Sequence, residues 1–250
     1  HGEPLAFEGE LTAHTLMPPL LSPPPLEVGP PPILVGALGE RMLAMATAVA
    51  DGVVLHPMTS EPFLSALVDE RIPAGLAVTP DGTWLAVANR NDHTVQMLGL
   101  PDGKPEATIP VGRRPFGVTI SDDARLLFTA NVKSDDVSIV DLRAHREIAR
   151  VKVGDAPYAS IHDARRNLLF VTNQQAGSVS VIDVGAGREL LRIPVGDYPE
   201  GIDYSTTLDR VYVASWFDNA LYVIDPERLT VEAQIPCGDG SRAYGDFIRE

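Results

Sequence analysis

Residues 115–156 read PFGVTISDDARLLFTANVKSDDVSIVDLRAHREIARVKVGDA, and this stretch of 42 residues decides the fold. Four β-favouring runs, Pro115–Ser121, Leu126–Asn131, Val137–Asp141 and Ile148–Gly154, alternate with polar turns such as Asp122-Asp-Ala and Lys133-Ser-Asp-Asp. The pattern predicts four antiparallel strands joined by hairpins. It recurs from Pro73, Pro157 and Pro199 without insertion, so copies fill 73–114, 115–156, 157–198 and 199–240, and a fifth opens over 241–250. Repeats of about 40–50 residues holding several short strands mark propeller blades, whereas helical repeats would show apolar residues at a 3.6 period. The expected fold class is mainly β: a partial β-propeller of four four-stranded blades plus one strand.

Equivalent positions carry equivalent chemistry. Asn89, Asn131, Asn173 and Ser215 end the second run of each copy, and Gly112, Gly154, Gly196 and Gly238 end the fourth. Turn geometry is the expected role of all eight, because Asn caps its own backbone and Gly tolerates positive φ. Val87-Ala-Asn, Thr129-Ala-Asn and Val171-Thr-Asn, with Val137-Ser-Ile-Val-Asp, Val179-Ser-Val-Ile-Asp and Leu221-Tyr-Val-Ile-Asp, resemble the YVTN family of β-propeller repeats. That resemblance covers residues 73–250 and implies a scaffold of stacked blades, usually seven, in a periplasmic or secreted setting. It implies no chemistry.

Residues 1–72 differ in composition. They hold 11 of the 22 prolines and only two aromatics, Phe7 and Phe63. The proline runs up to Pro32 read as an extended connector. Ile33–Leu38 and Gly52–His56 read as buried parallel strands around a helix over Glu40–Ala50, which makes one βαβ unit in residues 1–70. His14-Thr-Leu-Met-Pro-Pro, Ile33-Leu-Val-Gly-Ala-Leu-Gly-Glu-Arg-Met and Val53-Val-Leu-His-Pro-Met-Thr-Ser resemble a luciferase-like monooxygenase of the coenzyme F-420-dependent oxidoreductase type. The resemblance spans residues 1–68, a fragment of a TIM-barrel type fold, and implies a cytoplasmic setting and F-420 or FMN as cofactor. Gly36, Ala37, Leu38, Gly39 and Arg41 are the candidate cofactor-binding residues, since a glycine-rich turn opening a helix points backbone N–H groups at a phosphate. His56 at the second strand's end reads as a backbone partner rather than a base.

Charge narrows the function classes. Twenty basic residues face 34 acidic ones, a net charge of −14, and both parts of the chain are acidic. Nucleic acid and anionic membranes call for a basic face, so neither is expected as a partner. The single cysteine, Cys237, takes the place of Val111, Val153 and Val195 and is expected as a small buried hydrophobe. His93, His145 and His162 do not recur at the repeat period, so no metal ring is expected. No catalytic residue is assigned.

A binding site is therefore sought where the frame repeats and the residues vary. The second residue of successive copies is Ala74, Phe116, Tyr158, Glu200 and Arg242. Arg113, Arg114, Trp216 and Phe217 fall in loops of the same face, because loops joining strand four to the next strand one share a face with those joining strands two and three. Arg113, Arg114, Phe116, Tyr158, Glu200, Trp216, Phe217 and Arg242 are the candidate residues for a protein or small-molecule ligand. The strand opening the fifth copy, Ser241–Ile248, is expected to be innermost, and open blade edges are expected to invite self-association.

Overall fold

The computed structural model describes residues 75–100, 102–243 and 247–248, and before them four short strands. The chain divides into two compact units, His1–Leu67 and Val68–Glu250. In the first unit, β1 (Leu5–Glu8) and β2 (Ala13–Leu16) form an antiparallel pair that the sequence reading does not anticipate. Strands β3 (Leu34–Ala37) and β4 (Gly52–Leu55) pair in parallel, Leu34 opposite Gly52 and Ala37 opposite Leu55. The proline-rich connector, the helix expected over residues 40–50 and His56 lie outside the described residues.

The second unit is a row of four antiparallel meanders. Blade 1 holds β5 (Leu76–Val78), β6 (Trp84–Asn89), β7 (Thr94–Gly99) and β8 (Lys104–Pro110). Blade 2 holds β9 (Pro115–Ile120), β10 (Leu126–Asn131), β11 (Asp136–Asp141) and β12 (Arg146–Lys152). Blade 3 holds β13 (Pro157–Asp163), β14 (Leu168–Asn173), β15 (Ser178–Asp183) and β16 (Arg188–Pro194). Blade 4 holds β17 (Pro199–Ser205), β18 (Arg210–Ser215), β19 (Ala220–Asp225) and β20 (Thr230–Pro236). Each sheet runs in sequence order, one to four. This is the partial β-propeller expected from the repeat. The fourth strand of blade 2 begins two residues before its expected start, and a register shift recurs between strands three and four of every blade, at Met97/Leu98, Ile139/Val140, Val181/Ile182 and Val223/Ile224. One extra residue in a strand leaves no compositional mark, which is why alternation alone does not reveal it.

Alternation along each strand sends one set of side chains to the preceding blade and the other to the next. Phe128, Ala130, Val137, Ile139, Val151 and Val153 of blade 2 pack on Leu169, Val171, Ile182 and Val184 of blade 3. Phe170, Val179, Val181, Ile193 and Val195 of blade 3 repeat the arrangement on Ile202, Val211, Val213 and Ile224 of blade 4. Burying one such large side chain contributes roughly 1.5–3 kcal/mol, so the joints between blades carry the apolar stabilisation. First strands approach most closely. A Cβ added at Gly117 would lie 2.3 Å from the carbonyl oxygen of Tyr158, and one at Gly75 would meet that of Phe116.

Packing corrects three of the expectations, those for Cys237, for the recurrent glycines and for the recurrent asparagines. Of the strand expected over Ser241–Ile248, residues 244–246 lie outside the described residues, and the described 241–243 and 247–248 are not in a strand. Its described residues lie beside β17: the N–H groups of Phe247 and Ile248 donate to Asp203 at 2.8 and 2.7 Å, and Gly201 faces the carbonyl of Ala243. Cys237 is exposed rather than buried, since it belongs to the face of blade 4 that meets no further blade among the described residues; Ile235 on the same face is 45% exposed against 0–4% for Ile109, Val151 and Ile193. Of Gly112, Gly154, Gly196 and Gly238 only Gly196 has positive φ, at 81°. Gly112 and Gly154 are required by space, because a Cβ there would strike the side chains of Asn131 and Asn173.

Those asparagines are not caps of their own backbone. Asn131 Nδ2 donates to Asp136 Oδ1 and to Ser138 Oγ, both at 2.9 Å, and Ser138 Oγ accepts the Gly112 N–H at 3.1 Å. Asn173, Ser178, Ser180 and Gly154 repeat the network one blade on. Asn131 and Asn173 are fully buried, so in blades 2 and 3 the network ties strands two and three to the incoming chain.

Blades 3 and 4 share a further joint. Arg166 Nη1 and Nη2 reach the two oxygens of Asp209 at 2.9 and 2.7 Å, Nη1 also reaches Asp163 at 2.8 Å, and Nε reaches Glu227 at 3.1 Å. Tyr204 O–H donates to Asp209 at 2.6 Å. The guanidinium of Arg166, and then the Tyr204 hydroxyl, hold the Asp209 carboxyl well below the usual carboxylate range. Burial, and then the Asp209 contact, push the Tyr204 phenol up.

Candidate functional site

One end of the blade row is organised by a repeated clamp. The loop joining strand four to the next strand one turns through a residue in the left-handed region, Arg114, Ala156, Tyr198 or Gly240, with φ of 54°, 54°, 55° and 70°. Its carbonyls accept from the turn between strands two and three of the following blade: Val132 N–H to Arg114, Lys133 N–H to Arg113, Gln174 N–H to Ala156, Trp216 N–H to Tyr198 and Phe217 N–H to Asp197, at 3.0–3.3 Å. Two loop types are thereby fastened together at every junction. Side chains at the two clamped positions stand next to each other by construction, which makes this end a surface whose chemistry is set by loop residues.

Three groups of side chains result. At the blade 1–blade 2 junction, Asn91, His93, Arg113, Arg114 and Lys133 line a cavity of about 400 Å³. At the blade 3–blade 4 junction Tyr198, Trp216 and Phe217 form an aromatic cluster, with Trp216 and Phe217 stacked at 4.7 Å and Tyr198 tilted against Phe217 at 4.7 Å. Arg242 Cζ lies 4.0 Å over the Trp216 ring, and its Nε and Nη2 reach Glu200 at 2.6 and 2.8 Å. Along the inner strands runs a groove of about 660 Å³, lined by segments of β5, β9, β13 and β17 and including Phe116, Tyr158 and Glu200. Phe116 and Tyr158 stack within it at 4.2 Å.

The candidate residues thus fall into three groups, two of which share Glu200. Phe116 joins Tyr158, Glu200 joins Arg242 and Trp216, and Arg113 joins Arg114. Glu200 is 3% exposed, with Gln174 Nε2 donating to it at 3.0 Å, so its charge is spent inside the protein on Arg242 and Gln174. Among the described residues Phe217 is the most open of the aromatics, at 56% exposure. Tyr198, His93, Asn91 and Lys133 were not singled out from sequence as site residues. Adding the copy offset of 42 to every loop position, rather than to the second residue alone, would have found them. Of the candidate cofactor residues, Gly36 and Ala37 end β3, whereas Leu38, Gly39 and Arg41 lie outside the described residues. Among the described residues no three His, Cys, Asp or Glu side chains are grouped to hold a metal ion, and no helix is long and apolar enough to cross a membrane.

No family model matches the chain. Uncharacterized protein Mb1395 of Mycobacterium bovis and Uncharacterized protein Rv1360 of Mycobacterium tuberculosis are each 38% identical to it over 76 residues, 30% of this chain. The match spans 22% of the length of those relatives. Among solved structures, Kuenenia stuttgartiensis hydrazine synthase superposes with a TM-score of 0.61 at 23% identity, over 65% of this chain and 48% of that one. Dihydro-heme d1 dehydrogenase NirN in complex with DHE gives 0.57 at 18% identity, over 68% and 38%. A functionally unknown protein from Desulfotomaculum acetoxidans gives 0.55 at 15% identity, over 65% and 57%. At these identities the likeness is one of fold.

Proposed function

We propose that residues 73–250 are a YVTN-type propeller module that binds a protein or small ligand at the clamped loop end and performs no chemistry there. The observation that carries this reading is the contrast between frame and loops. The hydrogen bonds of the clamp recur at successive junctions, while the side chains mounted on it change from Arg113 and Lys133 to Asp155 and Gln175 to Asp197 and Phe217. A rigid frame bearing variable residues is the usual construction of a recognition surface. Trp216 and Phe217 are its aromatic anchors. Replacing both by alanine is expected to weaken a captured partner by about 2 kcal/mol or more, roughly thirtyfold, while Asp122→Ala with Lys104→Ala, at the opposite ends of the strands, leaves capture unchanged. Retention of a partner on the immobilised 250-residue chain is the measurement. Loss in the opposite-end variant with retention in the aromatic one would place the binding surface elsewhere.

The parallel pairing of β3 with β4 favours a second reading, an oxidoreductase of the luciferase-like class drawing on F-420 or flavin through residues 1–68. Parallel neighbours need a crossover connection, and a helix between them would present its N-terminus beside Gly36 and Gly39 to a phosphate. This second reading rests on one parallel strand pair, whereas the propeller reading rests on four repeated four-stranded sheets. FMN and F-420 fluorescence titrations of the whole chain are expected to show no saturation; micromolar binding abolished by Gly39→Asp would favour the oxidoreductase instead.

A further inference from the structure

Lining the three clamped junctions up by the 42-residue offset isolates one of them. The position that holds Arg113 at the first junction holds Asp155, Asp197 and Asp239 in the later copies, and the position of Lys133 holds Gln175 and Phe217. Arg114 corresponds to Ala156, Tyr198 and Gly240. In a chain of net charge −14, the repeat's usual carboxylate has therefore been replaced by a cation at a single junction, and a second cation has been set beside it. Neither can drift far at its base. The Lys133 N–H donates to the Arg113 carbonyl at 3.1 Å, and the Arg113 N–H donates to Ser134 Oγ at 2.8 Å. Arg114 is pinned in the left-handed region, its N–H donating to His93 Nδ1 at 3.2 Å.

Two neighbouring carboxylates are engaged within the protein. Asp136 accepts from Asn131, Ser134 and Lys152, and Asp135 Oδ1 accepts the Ala156 N–H at the next junction. Asp92, on the turn that carries Asn91 and His93, is exposed. Like charges held side by side repel unless an anion sits between them, and Arg and Lys together offer the forked and the point-charge donors that oxyanions accept.

We infer that the cavity of about 400 Å³ lined by Asn91, His93, Arg113, Arg114 and Lys133 is a binding site for the oxyanion group, phosphoryl or carboxylate, of a ligand at the loop end. The inference rests on the loop-end reading of the module and adds the chemical class of what is bound. Calorimetric titration of the 250-residue chain at low ionic strength with inorganic pyrophosphate and, separately, with citrate tests it. At least one probe is expected to saturate below about 1 mM, and the tighter of the two identifies a phosphoryl or a carboxylate ligand.

Arg113→Asp with Lys133→Gln installs the pair that blade 3 already carries at its own junction, so the fold has a precedent for it. Binding is expected to fall about a hundredfold, about one order of magnitude for each of the two lost charged contacts. Lys133→Gln alone is expected to have a smaller effect, and Trp216→Ala with Phe217→Ala none. Failure of both probes to saturate below about 10 mM, or unchanged binding in the Arg113→Asp, Lys133→Gln variant, would overturn the inference. Anion binding that survives while partner capture is insensitive to Trp216 and Phe217 sinks the aromatic anchors alone; capture that depends on them without anion binding sinks the oxyanion site alone.

Discussion

Phe170→Ala is expected to lower the stability of the blade row by about 3–5 kcal/mol, while Tyr212→Ala, the same repeat position one blade on, costs less than half as much. Phe170 has no exposed surface and is enclosed by Val179, Val181, Ile193 and Val195 of its own blade and by Ile202, Val211, Val213 and Ile224 of the next. Its removal loses the transfer energy of the ring and leaves a cavity that two sheets cannot both close. Tyr212 occupies the corresponding place in blade 4 but remains half-buried, because among the described residues no further blade covers that face. Urea unfolding followed by tryptophan fluorescence compares the two. Equal losses would show that the joint between blades 3 and 4 is not what holds Phe170.

Gly112→Ala is expected to be the second severe change, about 3 kcal/mol or more, whereas Gly238→Ala is close to neutral. A Cβ at residue 112 would sit 2.4 Å from Asn131 Nδ2 and 2.4 Å from Asp136 Oδ1. Both atoms belong to a buried network in which Nδ2 is already bonded to Asp136 and Ser138, so making room means breaking bonds that water cannot replace. Nothing lies within 4 Å of the equivalent position at Gly238. Thermal unfolding of the two variants settles the point, and a neutral Gly112→Ala would mean that the network shifts at little cost.

These contrasts mark where the sequence is sufficient. The 42-residue period, the four runs in each copy and the alternation of Val, Ile and Leu with polar residues already specify hairpins in sequence order, since β pairing across two-to-five-residue turns is local. The loop end was legible for a related reason: in an uninterrupted repeat, a position named once is placed in every copy.

Neighbours were not legible. Phe170 and Tyr212, Val195 and Cys237, Gly112 and Gly238 are equivalents in sequence, and they differ because one of each pair faces another blade and the other does not. Among the described residues of 241–248 none is in a strand, although the stretch carries the residues of a first strand. The recurrent asparagine reads as a turn residue until its amide is seen reaching strand three and the incoming chain. The cationic cavity likewise needs residues from two blades, Asn91 and His93 with Lys133, brought together by the clamp. Sequence by itself determined the blade; burial, the polar network and the grouping of Arg113 with Lys133 were decided by packing one blade on the next, an interaction between distant residues that no local pattern records.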